Sequence, residues 1–375
     1  MLRRSFNAVL TAFFTIVFSI TNGLYAHVSA NQYVEGKDIT IPTSDSVGFE
    51  TEEIEVTASM IRTPLPNASR IIGIMTQEQI SEYPVQSVND ILKYAVGVDV
   101  RQRGPMGAQT DIGIRGGNFE QVAILLDGIN ICDPQTGHNS FDFPVDMSDI
   151  DHIELLEGPA GRAYGSSSLM GAINIVTKTA TVTSGHAHAE AGSWGYAASG
   201  ASAAAVGDGW NNMLSVNYGR SDGYSRSKAG HLNADMEYKK AFYKGSYSDD
   251  DIKVNWHAGA SVKDWGSNTF YSAKFDEQFE HTFKTYTAIQ AENRIGRVHI
   301  HPSAWWNHNE DRFELIRGSE ATVPFNYHRS DVAGVGFNSW FDWKLGRTAV
   351  GAELKNENLV SGNLGEPLTE SKHIK

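Results

Sequence analysis

The residues best equipped for chemistry form three small groups. His186 and His188 lie two apart, as do His299 and His301, a spacing that sets both rings of a pair on one strand face and suits two ligands of a metal. Asp249-Asp250-Asp251 has the acid density of a calcium loop. Each His pair lacks an evident third ligand, and a solvated turn is the better reading of the three consecutive acids. No Ser/His/Asp, Walker or Cys/His arrangement stands in a credible context. Cys132 is the single cysteine, so disulfides do not hold the fold. The expectation is a protein that is not an enzyme, with no cofactor and no resident metal.

If the chemistry is not covalent, it must be binding or passage, and the elements that would position it come next. The chain has 375 residues and a net charge of -13. Phosphate recognition needs clustered Lys and Arg, so the acidic balance argues against a nucleic-acid partner. Arg3 and Arg4 precede an apolar run, Val9 to Ile20, followed by small residues at Val28-Ser29-Ala30. This has the form of a signal peptide over residues 1–30, with cleavage after Ala26 or Ala30; a membrane anchor is the alternative, for which the run is short. Beyond it no apolar run reaches the ~20 residues of a membrane helix. That leaves strands as a way to cross, because alternation hides their lipid face from average hydropathy.

Residues 31–52 are polar and aperiodic and read as a flexible segment. Glu53 to Ala58 is β-prone behind an acidic lead-in. Alone it is an ordinary first strand or one whose open edge invites pairing with another protein's sheet. Residues 59–180 read as an α+β domain. Strands are expected at Arg70 to Ile74, Val98 to Arg101, Ile112 to Ile114, Val122 to Leu126, Ile150 to Leu156 and Ala172 to Thr177. Thr76 to Gln79 has capping-box spacing, and Ser87 can cap a helix whose Val88, Ile91, Leu92 and Ala95 share an apolar face that Gly97 terminates. Asp127-Gly128 marks a turn.

After residue 180 the period becomes two. Ile252, Val254, Trp256, Ala258, Ala260 and Val262 share one face, while Lys253, Asn255, His257, Gly259 and Ser261 share the other. A soluble sandwich or a barrel wall would both alternate so. Nine strands are expected, at 185–192, 196–206, 212–221, 231–248, 251–263, 281–293, 297–308, 331–343 and 348–356. Tight turns at 207–209, 248–250, 295–296 and 346 alternate with longer links at 222–230, 264–280 and 309–330. Short turns on one rim and long loops on the other favour a transmembrane barrel, with Trp194, Trp210, Trp265, Tyr271, Trp305, Trp306, Trp340 and Trp343 as an aromatic girdle.

Several stretches resemble one family. Ile114-Arg115-Gly116-Gly117, Val122 to Gly128, Ile150 to Pro159, Tyr164-Gly165-Ser166 and Gly171 to Lys178 are similar to the plug-domain signature of TonB-dependent outer-membrane receptors. The resemblance implies a plug filling a barrel, with Arg115, Gly116, Gly117, Asp127, Gly128, Gly158, Pro159, Gly165 and Gly171 as structural residues. It makes loops 102–110 and 132–141 the ligand-facing ones, and Arg103, Met106, Gln109, Asp133, Gln135, Thr136, His138 and Asn139 the candidate contacts. Glu53, Ile54, Glu55, Val56, Thr57 and Ala58 resemble the Ton box, which the inner-membrane-linked TonB protein captures by strand addition. One departure stands out: many relatives have Arg before Gly-Pro, where this chain has Glu157. A lock of two plug arginines on barrel carboxylates is therefore not expected in that form.

The resemblance implies energised uptake of a scarce small-molecule ligand across the outer membrane, with the plug and Ton box facing the periplasm. The loop Asp133 to His138 looks most like vitamin B12 (cobalamin) receptor relatives, with a ferric siderophore or heme as the alternative. A passive porin or surface adhesin is the competitor of another class. From Ala180 to Lys375 there is room for at most ~19 strands of about 10 residues, even without turns. A plugged transporter barrel uses about 22. The expectation is the front part of a longer protein, with an incomplete barrel.

Overall fold

The computed structural model describes residues 55–56, 63–64, 72–102, 108–135, 140, 142–158, 168–224, 230–231, 233–319, 325–344 and 346–362. All lie within one unit, Glu52–Lys375. The expected signal peptide and flexible segment fall outside the described residues.

The chain opens with β1 (Glu55–Val56), paired antiparallel with β2 (Thr63–Pro64). β3 (Ile72–Thr76) runs into α1 (Gln77–Glu82), where the Thr76 hydroxyl and the Gln79 side chain each accept the other residue's backbone N–H, the capping box that the spacing predicts. Ser87 accepts from the Asp90 N–H and starts α2 (Val88–Ile91). The predicted apolar face is buried, with Ile91 and Leu92 fully so. This helix is shorter than expected: Leu92–Tyr94 tightens into a 3-10 turn before Gly97, which takes φ +81.

The next strands are β4 (Val98–Gln102), β5 (Thr110–Ile114), β6 (Val122–Leu126), β7 (Ile129–Asn130), β8 (Ile150–Glu157) and β9 (Gly171–Thr177). β4 and β5 form a separate hairpin, while the others make a five-stranded sheet in the order β3-β8-β9-β6-β7. Only β6 and β9 run parallel. The sheet buries Ile124, Leu126, Ile153, Ile173 and Ile175 against α2 and β5. The short strand β7 was not expected. It exists because Asp127 (φ +48) and Gly128 (φ +84) form a two-residue hairpin turn with both angles positive, which suits the strand twist.

Nine antiparallel strands follow, each paired with the next in sequence: β10 (Ser184–Ala191), β11 (Ala197–Gly207), β12 (Trp210–Ser221), β13 (Met236–Ser248), β14 (Ile252–Asn268), β15 (Gln278–Asn293), β16 (Val298–Glu314), β17 (Phe325–Trp343) and β18 (Gly346–Ser361). Their number is the expected one, but β14 to β18 run several residues further on the long-loop side. There the outward positions carry Asp264, His281, Glu310 and Asp331, so apolar alternation fades while the backbone ladder continues. Among the described residues, β10 and β18 are the two edges of this sheet.

The outer face is apolar and open. Val216, Ile289, Val335, Phe337, Val350 and Leu354 are all exposed, as a wall facing hydrocarbon requires. The inner face carries the polar partners of the plug. The girdle needs correction. Trp210, Trp306 and Trp343 are outward and exposed, but Trp265 and Trp305 are buried on the inner face. Trp340 stacks on His299 at 4.9 Å, and this pair also lies on the inner face. Side chains alternate, so Trp305 and Trp306 cannot both face lipid.

Gly171 lies where β9 passes β8, and a Cβ there would sit 2.4 Å from the Leu156 carbonyl oxygen. Among the described residues nothing lies within 4 Å of a Cβ placed at Gly158, but its φ is +86. Gly171→Ala should therefore cost the plug about 1–3 kcal/mol through overpacking, and Gly158→Ala about 1 kcal/mol through strain alone. Thermal unfolding of the detergent-solubilised protein, followed by near-ultraviolet circular dichroism, checks the order of the two.

Candidate functional site

The plug and the inner wall share one apolar cluster, to which the wall contributes Phe242, Tyr286, Ala288 and Trp305. Around it, polar contacts fasten plug to wall at three levels.

The innermost is Asp127, at the hairpin turn. Its carboxylate accepts from the Thr177 N–H (2.8 Å) and hydroxyl (2.6 Å) within the plug. From the wall, His257 Nδ1 lies at 3.2 Å and Lys244 Nζ at 3.5 Å. The two wall residues face each other across the β13–β14 ladder. Lys244 also donates to the Thr177 carbonyl (2.7 Å) and hydroxyl (2.8 Å), and the Gln290 amide donates to the Asp127 carbonyl (2.9 Å). Burial alone would raise the carboxyl's pKa, but Lys244, His257 and Thr177 outweigh it and hold Asp127 far below the usual carboxylate range.

On the far side of the turn, the Gly128 N–H donates to Asn174 Oδ1 (2.9 Å), and Asn174 Nδ2 donates to Glu154 (2.9 Å). Glu154 is wholly buried in the sheet. Its other oxygen meets His152 Nε2 (3.3 Å), while His152 Nδ1 lies 2.6 Å from Asp151. Burial pulls the imidazole down, yet the two carboxylates win and push it up to about 9. His152 is thus charged at neutral pH and balances Glu154.

At the middle level, Asp142 accepts from the Thr282 hydroxyl (2.5 Å), with Lys263 Nζ at 3.5 Å. Desolvation is again overridden, here by Lys263, Thr282 and Lys284, and its pKa falls. Lys240 donates to the Val145 carbonyl (3.0 Å) and Asn307 to the Ile131 carbonyl (3.3 Å). A small recess opens beside these contacts, lined by both polar and apolar side chains, among them Asn89, Lys240, Lys263, Phe143 and Met236.

The outer level involves the two expected ligand loops. Gln109 (5 % exposed) accepts from the Tyr271 hydroxyl of the β14–β15 connection. Asp133 (8 % exposed) accepts from the Ser330 hydroxyl of β17 (2.9 Å) and the Gln135 N–H (2.9 Å). Burial raises the Asp133 carboxyl, opposed by Gln135, Lys284 and Ser330. Both residues are thus engaged with the wall. Arg103, Met106, Thr136, His138 and Asn139 fall outside the described residues.

Of the coupling segment, only the backbone of Glu55 and Val56 is described, in the two-residue pairing with Thr63 and Pro64; Glu53, Ile54, Thr57 and Ala58 lie outside. Arg115 (φ +50) and Gly116 (φ +81) make a tight turn, and Gly117 closes it by donating to the Ile114 carbonyl (2.9 Å). Arg115 pairs with Glu157 inside the plug, so the charge change at Glu157 creates an internal ion pair. Pro159 and Gly165 lie outside the described residues.

Lys244, Lys263, Thr282, Gln290 and Ser330 were not singled out from sequence. Their signal was available only as polar residues on the inward side of alternating strands, the side on which His257 was already placed. The histidine pairs and the acidic run stay apart: no group of three metal-ligating side chains occurs among the described residues. Asp249 instead accepts from the N–H groups of Asp251 and Ile252, each at 2.8 Å, as an ordinary turn does.

Comparison with known proteins agrees with this geometry. The family model TonB-dependent Receptor Plug Domain matches residues 65–172. The vitamin B12 transporter BtuB of Vibrio vulnificus (strain CMCP6) is 31 % identical over 134 residues, covering 36 % of this chain and 22 % of that protein. Among solved structures, the copper transporter OprC has a TM-score of 0.63 at 14 % identity, over 77 % of this chain and 46 % of that one. The open form of the ferric-catecholate import receptor Fiu of E. coli K12 has a TM-score of 0.62 at 15 % identity, over 79 % of this chain and 50 % of that one. The chain thus spans about half the length of the similar structures and under a quarter of the curated relative.

Asp127→Asn should cost about 3–5 kcal/mol, because it strands the Lys244 charge in a dry contact. Adding Lys244→Met should recover much of the loss, and denaturant titration of the single and double variants measures it. The sign for pH follows from the lowered pKa. The Asp127 contribution is fully present above the ordinary carboxylate pKa, near 4, and is lost only as pH falls through a folded value far below it. His152 works the other way. Its contribution is complete below about 6.5, the free imidazole value, and is lost as pH rises through about 9. Imidazole resonances followed from pH 5 to 10 should show that titration, and Glu154→Gln should lower its midpoint.

Proposed function

Because the chain is the plug of a TonB-dependent receptor joined to strands of its barrel, we propose that it serves energised uptake of a scarce small molecule across the outer membrane. One observation carries the proposal: a folded plug is fastened across the polar face of a nine-stranded sheet whose other face is apolar and exposed, behind a short paired strand at Glu55 and Val56. A passive pore has no need of either. The relatives are transporters and receptors, and that agrees.

In this mechanism the plug and residues Glu53 to Ala58 face the periplasm. The TonB protein adds a strand to that segment, of which Glu55 and Val56 are paired among the described residues. Main-chain hydrogen bonds give such an added strand its affinity. Force applied there draws on the plug, and the Asp127, Asp142 and Asp133 contacts decide which part yields.

Cobalamin is the leading ligand, supported by the similarity to a vitamin B12 transporter. A ferric siderophore is the second reading, supported by the likeness in fold to a ferric-catecholate receptor. An export signal over residues 1–30 fits this destination.

Val56→Pro removes one main-chain donor from the coupling strand. It should abolish uptake of labelled cyanocobalamin into cells while leaving surface binding unchanged. Collapsing the proton gradient should have the same effect on the unaltered protein. Uptake that survives either treatment would point to a passive pore.

A further inference from the structure

The short turns of the sheet divide by charge. Asp208 lies between β11 and β12, and Asp249, Asp250 and Asp251 lie between β13 and β14. Arg294 and Arg297 lie between β15 and β16, Lys344 follows β17, and Arg347 stands at the start of β18. Acids therefore edge one side of the wall and bases the other.

Two of these bases are spent on the turns themselves. Arg294 donates to the Ser248 hydroxyl (2.9 Å) and the Asp249 carbonyl (3.0 Å). Arg347 donates to both carboxylate oxygens of Asp342 (2.7 and 3.0 Å). Arg297 and Lys344 are exposed, and neither has a hydrogen-bond or ion-pair partner for its side chain among the described residues. Arg297 leads into β16 and Lys344 leaves β17, strands that pair with Val298 opposite Phe341. Both charges thus stand at the same end of one ladder.

On the outer face beside them, Val298, Ile300, Phe341 and Trp343 are all exposed. The Trp343 ring N–H donates to the Thr348 hydroxyl across the hairpin (2.9 Å), which keeps the indole at the rim. Lys and Arg stems lie along apolar surface while their charged heads reach the polar boundary, and indole favours the same boundary. A soluble anion would use the two charges and leave the apolar strip uncovered. A neutral lipid would cover the strip and leave the charges unpaired. An amphiphile with acyl chains and an anionic head satisfies both.

We propose that Arg297 and Lys344, beside Val298, Ile300, Phe341 and Trp343, form a docking site for one acidic phospholipid, with its phosphodiester on the two bases. The acids at 208 and 249–251 repel the same headgroup, so such lipid gathers on one side of the wall only. In the orientation proposed for transport the short turns face the periplasm, and on that reading the lipid belongs to the periplasmic leaflet.

The detergent-solubilised protein is incubated with equal amounts of phosphatidylglycerol and phosphatidylethanolamine, and the lipid it retains is counted by native mass spectrometry. Phosphatidylglycerol should be retained about tenfold over phosphatidylethanolamine, since each base near a headgroup contributes several-fold. Arg297→Gln combined with Lys344→Gln should bring the ratio to within about twofold, with the thermal unfolding midpoint unchanged. Arg329→Gln, at an exposed base toward the long-loop end, should leave the ratio as it was. In the unaltered protein, raising ammonium acetate to about 1 M should erase the preference, because charges are then screened beyond about 3 Å. The proposal is overturned if the unaltered protein shows no preference, if the double variant or high salt retains it, or if Arg329→Gln removes it as well. Uptake that persists in Val56→Pro would remove the transport reading and the leaflet assignment, and the lipid ratio would still stand. A ratio near one would remove the lipid site and leave transport untouched.

Discussion

The carboxylate of Asp127 is the point on which the rest of the assembly depends. It sits at a hairpin turn that only a residue tolerant of positive φ, followed by glycine, can make at low cost. Two of its contacts reach back to Thr177, where the plug ends, and two reach across to Lys244 and His257 on the wall. One small group therefore closes the plug sheet on itself and fixes it to the barrel. The charge count works because the acid belongs to the plug and the bases to the wall. An unpaired lysine or aspartate at that depth would be far more costly than the pair together.

This polarity also explains why Glu157 is tolerated. With anchoring carried by an acid on the plug, Arg115 has no need of a barrel carboxylate, and it pairs with Glu157 beside its own turn. The buried row His152, Glu154 and Asn174 extends from the other side of the Asp127-Gly128 turn through the sheet. Its carboxylate faces an imidazole whose pKa is pushed up to about 9, so this pair is balanced within the plug, unlike Asp127 and Asp142, whose bases lie on the wall.

What could be read from sequence was what depends on neighbours in the chain. Thr76 with Gln79, the Ser87 cap, the Asp127-Gly128 turn and the alternation in β14 each specify geometry within a few residues. Lys244 and His257 could not be paired with Asp127 beforehand, because their meeting depends on a strand register more than a hundred residues away. The outer ends of β14 to β18 escaped for a different reason. Toward the long-loop end, hydropathy no longer alternates, while hydrogen bonding between strands goes on. Trp265 and Trp305 misled because composition near strand ends does not say which face a side chain takes; only parity within the ladder does. Gln109 and Asp133 belong to the two loops expected to meet a ligand, yet both are buried against the wall.

The wall holds much of the plug by its main chain. Lys240, Lys244, Gln290 and Asn307 donate to the carbonyls of Val145, Thr177, Asp127 and Ile131. Every amino acid offers the same carbonyl, so these four attachments are blind to the identity of the residue they hold. Plug surfaces can drift over generations without loosening from the wall, provided the backbone path is kept. Such a joint lets a plug with a different surface dock on the same wall, and it is the side-chain ties of Gln109, Asp127, Asp133 and Asp142 that would have to travel with their partners.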